Sequence, residues 1–143
     1  RIDYREAGNY EGLLNALRNA APDGIDVYFD NVGGDHLQAA IEVARPFARF
    51  AMCGMISQYN DTTPTPGPNN LMQIIGKQLQ LKGFIVSSNI DLQPQFMKDM
   101  AGWLATGKMK FEETVLEGIE NAPVAFIGLF NGKNKGKMLV KLP

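Results

Sequence analysis

The chain has 143 residues, 45% hydrophobic and 20% charged, with a formal net charge of −1. That balance describes an ordinary globular domain with room for a core. It excludes a basic nucleic-acid surface, and no apolar run nears the ~20 residues of a bilayer-spanning helix.

In chain order, Arg1-Ile2-Asp3-Tyr4 reads as the end of a strand entered mid-domain, and no signal peptide is visible, since Arg1 opens directly into polar sequence. Tyr10, Leu13, Leu14 and Leu17 stand at helical spacing and predict a helix over residues 9–20. Ala21-Pro22-Asp23-Gly24 breaks it. Ile25-Asp26-Val27-Tyr28-Phe29 is a short run of strand formers ending at Asp30-Asn31. Gly33-Gly34 turns the chain. Leu37, Ala40, Ile41 and Ala44 then predict a second helix, stopping near Arg45 because Pro46 disfavours helix just before it.

Residues 49–53 read as a buried strand closed by Gly54. Residues 55–70, with Pro64, Pro66, Gly67 and Pro68, predict a long exposed loop. Loops of that length within a domain are often functional. A short helix over 71–77 and a strand over 80–86 follow, the strand turning apolar as though entering a core. The alternation predicts an α/β fold with a parallel sheet and helices on both faces.

The pattern changes after Ser87. Pro94 suits a first helical turn, Phe96, Met97, Met100, Trp103 and Leu104 follow at spacing that reads as core packing, and Gly107 is a natural stop. Residues 114–118 and 138–142 read as strands, with Asn121 as the N-cap of a helix over 122–130. No further βαβ rhythm is expected in this tail.

Open α/β sheets bind ligands outside the carboxyl ends of their strands. Three stretches occupy that position: Asp30-Asn31-Val32-Gly33-Gly34, Gly54-Met55-Ile56-Ser57-Gln58-Tyr59 and Ser87-Ser88-Asn89. Spacing alone leaves them equally readable as plain turns.

Val27-Tyr28-Phe29-Asp30-Asn31-Val32-Gly33-Gly34 resembles a stretch of the zinc-independent medium-chain dehydrogenase/reductase superfamily, in the branch of prostaglandin, 2-alkenal and curcumin reductases. Cys53-Gly54-Met55-Ile56-Ser57-Gln58-Tyr59-Asn60 and Gly132-Lys133-Asn134-Lys135-Gly136-Lys137 are similar to two later signatures of that branch, and Tyr4 also fits.

The resemblance implies a partial Rossmann-type doubly wound parallel sheet lacking its first strands. Residues 1–90 would be part of an NADP-binding domain, and 91–143 a C-terminal segment completing the catalytic domain. NADP(H) is the implied cofactor. Its implied contacts are Tyr4 on the adenosine side, Asn31, the loop of Cys53, Gly54, Met55, Ile56, Ser57, Gln58 and Tyr59 under the nicotinamide ribose, Phe84, Ile85 and Val86 beside the ring, and Asn134. Amides and hydroxyls suit the carboxamide and ribose, and the ring needs a dry wall.

The implied reaction is reduction of a carbon–carbon double bond conjugated to a carbonyl, in an enone, enal or quinone. Tyr59 is the candidate catalytic residue. An orienting hydrogen bond suits it better than general-acid work, since an ordinary phenol ionises at about pH 10. A homodimer pairing through the edge at 80–86 is also implied, and the single Cys53 makes a reducing, cytoplasmic compartment the expectation.

Plainer readings stand beside these. Cys53 is read as a small buried hydrophobe rather than a reactive thiol, and His36 as a solvated residue. One Cys and one His make neither a disulfide nor a metal site. Lys133, Lys135, Lys137 and Lys141 are read as a solvated face. Asp30 is read as orienting a loop backbone. No glycine-rich pyrophosphate loop occurs in the sequence. The chain alone is therefore expected to be inactive, and the strand at Ile25 to expose an unpaired edge. A non-catalytic oligomerisation or partner-binding module is the alternative. A methyltransferase would need a glycine-rich acidic loop of its own.

Overall fold

Helix starts where the sequence pattern suggests strand. Asp3 accepts the Arg5 N–H at 2.9 Å and caps a four-residue helix, α1 (Tyr4–Ala7), so Tyr4 is helical. The structure is a computed structural model and describes residues 2–143; Arg1, part of the expected strand, lies outside the described residues. Gly12 opens α2 (Tyr10–Ala20) against α1, because a Cβ there would sit 2.0 Å from the Ala7 carbonyl oxygen. Asn9 caps α2 by accepting the Gly12 N–H at 2.9 Å.

There follow β1 (Ile25–Asp30), α3 (Gly34–Val43), β2 (Ala44–Met52), a turn of 3-10 helix at Ile56–Gln58, α4 (Met72–Gly76) and β3 (Gln80–Gly83). The strands are parallel in the order β1–β2–β3, with Val27 opposite Arg49 and Phe50 opposite Leu81. Because they advance in one direction, right-handed crossovers place both connecting helices on one face. Leu37, Ala40 and Ile41 of α3 and Ile74 of α4 share one core with Ala48 and Phe50. The far side of α3, through Ala39 and Val43, packs on Leu13 and Leu14 of α2. Helices therefore do not cover both faces as the alternation suggested: Val27 and Phe29, on the other face, are exposed.

Two strands differ in extent from the sequence reading. β2 starts directly after α3, and between Ile25↔Ala44 and Val27↔Arg49 it carries a bulge containing Pro46, which has no N–H to donate, and Phe47 at φ 67°. β3 stops at Gly83 rather than residue 86. β2 ends at Met52, whose carbonyl takes the Phe84 N–H at 3.1 Å, and nothing further is offered for pairing. Ile85 and Val86 are exposed, and Val86 begins a 3-10 segment.

The chain divides after Ile90 into two units. The second contains α5 (Gln93–Ala105), β4 (Glu113–Glu117), α6 (Ala122–Phe130) and β5 (Lys137–Lys141). β4 and β5 are parallel, from Glu113↔Lys137 to Glu117↔Lys141. This is a βαβ crossover, where none was expected. The α6 sequence is apolar on nearly every side, so it shows no period that marks a crossover helix. Phe96, Met97 and Trp103 of α5 are exposed rather than core residues. Asn121 does not cap α6 through its side chain, which donates to the Glu117 carbonyl at 2.6 Å.

Candidate functional site

The loops after β1 and β2 are laced together. The Asp30 carbonyl accepts the N–H groups of Cys53 at 2.8 Å and Gly54 at 3.0 Å. The Asn31 carbonyl accepts Ile56 N–H at 3.0 Å, and the Val32 carbonyl accepts Ser57 N–H at 3.1 Å and its hydroxyl at 2.5 Å. The expected residues Asn31, Cys53, Gly54, Met55, Ile56, Ser57, Gln58 and Tyr59 are thus gathered at the carboxyl ends of two adjacent parallel strands, where such sheets bind ligands.

Backbone conformation makes the closeness possible. Gly33 and Gly34 lie at φ 71° and 51°, in the region that favours glycine. A Cβ on Gly33 would lie 2.9 Å from Met55 Cγ, and one on Gly54 would lie 2.7 Å from the Tyr59 hydroxyl. That hydroxyl accepts the Met55 N–H at 3.2 Å, so the ring folds back over its own loop. Its proton stays available to a further acceptor.

Asp30 is fully buried. Its Oδ1 accepts the Tyr28 hydroxyl at 3.0 Å and the N–H groups of Val32 and Gly33 at 2.9 Å each. Oδ2 is buried with no partner among the described residues. Burial, then the Asp30 charge and hydrogen bond, pushes the Tyr28 phenol well above the usual range. Tyr28 is therefore a fixed neutral donor, its ring 5.2 Å from that of Phe50.

Phe84 meets Phe29 edge-on at 5.8 Å, which puts an apolar wall beside the loops; Ile85 and Val86 follow it on the surface. Tyr4 lies edge-on to His36, with ring centres 5.5 Å apart, and the Arg5 guanidinium sits 5.8 Å from the Tyr4 ring centre. His36 is thus half-buried against an aromatic ring rather than simply solvated. Asn134 belongs to the second unit, where its amide donates to the Gly136 carbonyl at 2.7 Å. Of the lysines read as a solvated face, Lys135 pairs with Glu112 at 3.0 Å and Lys141 with Glu117 at 3.3 Å. Cys53 is half-buried.

Sequence reasoning missed what pins the far end of the long loop. Asn69 N–H bonds to Gln38 Oε1 at 3.1 Å, and the Asn70 amide donates to the Gln38 carbonyl at 3.0 Å and to Glu42 at 3.3 Å. Gln73 also donates to Glu42. Lys77 Nζ closes the end of α3 on the Ile41 and Glu42 carbonyls at 2.9 and 2.8 Å. Partial burial lowers the Lys77 ammonium from its usual range, against the pull of Glu42. The only signal was a pair of asparagines just ahead of a short helix.

A parallel sheet with its strand-end loops interlocked and its crossover helices on one side is a partial Rossmann-type α/β fold. Residues 2–105 match the zinc-binding dehydrogenase family. The chain belongs to that family, in the branch of prostaglandin and 2-alkenal reductases. It is 46% identical over 133 residues to prostaglandin reductase 1 of Bos taurus, covering 92% of this chain and 40% of that protein. It is 41% identical over 143 residues to the NADP(+)-dependent 2-alkenal reductase of Nicotiana tabacum, covering 98% and 41%. The structure of CurA from Vibrio vulnificus in complex with NADPH matches with a TM-score of 0.80 and 40% identity, covering 91% of this chain and 40% of that one. The chain thus spans about two-fifths of the length of these relatives. Although zinc is in the family's name, no group of three or more His, Cys, Asp and Glu suited to a metal ion occurs among the described residues. No helix there is long and apolar enough to cross a membrane.

Proposed function

We propose that these residues serve within an intact cytoplasmic reductase that uses NADPH to reduce the carbon–carbon double bond of enones, enals or quinones. The observation that carries this reading is the interlaced pair of strand-end loops, together with 40% identity to a protein solved with NADPH bound. The names of the Bos taurus and Nicotiana tabacum relatives support the substrate class. Residues 1–90 are read as part of the NADP-binding domain and 91–143 as a segment belonging with the catalytic domain.

The loop residues fit such a cofactor. Gly33, Gly34 and Gly54 let the two loops pack on each other where a Cβ would strike Met55, Ser57 or Tyr59, and Asn31, Ser57 and Tyr59 offer polar groups at the rim. NADPH, when bound, supplies the hydride. Asn31 and residues Cys53 to Tyr59 would hold its nicotinamide ribose, with Phe84, Ile85 and Val86 walling the ring. Tyr4 would meet the adenosine side, and Asn134 would add a late contact. Tyr59 would orient ribose and substrate through its free hydroxyl proton, next to the oxygen on which enolate charge develops. A homodimer joined through the β3 edge is part of this reading; β3, like β1, has one sheet neighbour among the described residues.

The test is loss of reduced nicotinamide absorbance with an enal. The intact protein is expected to turn over, and Tyr59→Phe to lower kcat about tenfold or more. The 143 residues alone are expected to turn over little. An intact protein that neither binds NADPH nor reduces any enal, enone or quinone would overturn the reading.

A further inference from the structure

We infer that Asp30 is the positioning residue of this site: its side chain sets the first strand-end loop and its main-chain carbonyl receives the second. This rests on the reductase reading above for its kinetic consequence, though not for its geometry.

Asp30 is the only polar or charged residue that is fully buried among the described residues. A carboxylate is costly to bury, and an apolar side chain would pack under α3 without that cost. What the carboxylate adds is specific. Oδ1 gathers two successive N–H groups of the first loop, from Val32 and Gly33, and the Tyr28 hydroxyl. The carbonyl of the same residue takes the first two N–H groups of the second loop, from Cys53 and Gly54. Five donors from three segments converge on one residue. Oδ2 has no partner among the described residues, so the carboxylate is buried incompletely satisfied.

The path to Tyr59 is short. The Asp30 carbonyl fixes Gly54, and Gly54 lies directly beneath the Tyr59 hydroxyl. The Asp30 carboxylate fixes Val32, whose carbonyl holds Ser57 through both N–H and hydroxyl. Displacing Asp30 therefore shifts Gly54 and Ser57 together. The side chain has no solvent exposure, so it acts through these loops and touches no ligand.

The experiment compares Asp30→Asn, Asp30→Ala and Tyr28→Phe in the intact protein. Asparagine keeps an acceptor oxygen but loses the charge that strengthens the loop bonds. Asp30→Asn is expected to raise KM for NADPH about tenfold and to lower kcat per folded molecule by less than Tyr59→Phe does, because the phenol itself is kept. Tyr28→Phe leaves both loop contacts in place and is expected to change KM less than about twofold. Asp30→Ala is expected to lose more than Asp30→Asn; should it fail to fold, Asp30→Asn still decides. Loss of stability alone would reduce the folded fraction and leave KM unmoved.

Amide hydrogen exchange supplies a readout that needs no cofactor. Asp30→Asn is expected to speed exchange about tenfold or more at Val32 and Gly33, and also at Ile56 and Ser57. An unchanged KM beside a binding-competent parent, or unchanged exchange at these four amides, overturns the proposal. If the unsubstituted protein binds no NADPH, the reductase reading falls and the exchange result alone decides the role of Asp30.

Discussion

Each unit contains a parallel βαβ crossover, yet only one of them surrounds its helix. In the first unit α3 lies between the sheet and α2, and Ala39, Ala40 and Ile41 have 0% exposure. In the second, α6 is the more apolar helix by composition, but only Ala125 and Gly128 are buried, and Phe126, Ile127 and Phe130 lie 59–68% exposed. Apolar content therefore does not decide burial; the number of neighbouring layers does. α3 has two, whereas α6 packs on β5 and the turn before it. An exposed apolar helix of this kind is uncommon on a self-sufficient surface.

The contrast makes its largest prediction for stability. Ile41→Ala empties a site closed on both sides and should cost about 3–4 kcal/mol. Phe126→Ala removes a larger side chain and should cost under about 1 kcal/mol, because that ring is already mostly in water and loses chiefly its edge contact with Phe130 at 5.3 Å. Urea unfolding followed by circular dichroism gives both values. Equal costs would mean that α6 is covered as fully as α3.

A smaller contrast separates two glycines. Gly136 lies at φ 70°, and a Cβ there would fall 1.8 Å from the Glu112 carbonyl oxygen, a backbone atom in the strand pairing itself. Gly33 lies at φ 71°, and its Cβ would meet Met55 Cγ at 2.9 Å, Cβ at 3.0 Å and Cα at 3.4 Å, a milder overlap than a backbone oxygen at 1.8 Å. Gly136→Ala should cost about 2–3 kcal/mol and Gly33→Ala about 1–2 kcal/mol. Amide exchange at Lys137, whose N–H bonds to Glu112 at 2.9 Å, should rise in the first variant and stay unchanged in the second.

The same contrast explains what could be read from the sequence. The strand-helix-strand order of the first unit was legible because Leu37, Ala40, Ile41 and Ala44 keep a clear period, and because Pro22-Asp23-Gly24 and Gly33-Gly34 mark its breaks. The strand-end loops were legible as a place, since a parallel sheet puts ligand loops there. Their lacing was not, because it depends on backbone carbonyls of Asp30, Asn31 and Val32 that every residue type possesses. The second βαβ unit was hidden by an α6 without apolar period. The end of β3 was hidden because Ile85 and Val86 are good strand formers with no partner strand left. Pairing across long separations, rather than propensity, settled each of these. The Asn69–Asn70 attachment to α3 is likewise a contact over about thirty residues, as the Asn70–Glu42 separation of 28 shows.

The smallest expected effect sets two ion pairs side by side. Glu42 accepts from Gln73 and Asn70 and faces Arg18 at 3.5 Å. The Gln73 hydrogen bond foremost, then Asn70, Lys77 and Arg18, holds its carboxyl below the ordinary value of 4.5, with partial burial opposing. A carboxyl depressed in the folded state contributes stability that is complete above its unfolded value and is lost as pH falls through the folded one. The loss therefore belongs below about pH 4.5. At neutral pH Glu42→Gln should cost under about 1 kcal/mol, and it should flatten the fall of the urea midpoint below that pH. Glu117, 3.3 Å from Lys141, has side chains 66% and 73% exposed across the pair, and Glu117→Gln should move the neutral-pH midpoint by no more than about 0.5 kcal/mol. The difference follows from geometry: Glu42 ties a loop and two helices together, while Glu117 joins two neighbouring strand ends. An acid limb left unchanged by Glu42→Gln would show that the Glu42 charge contributes nothing to holding the loop.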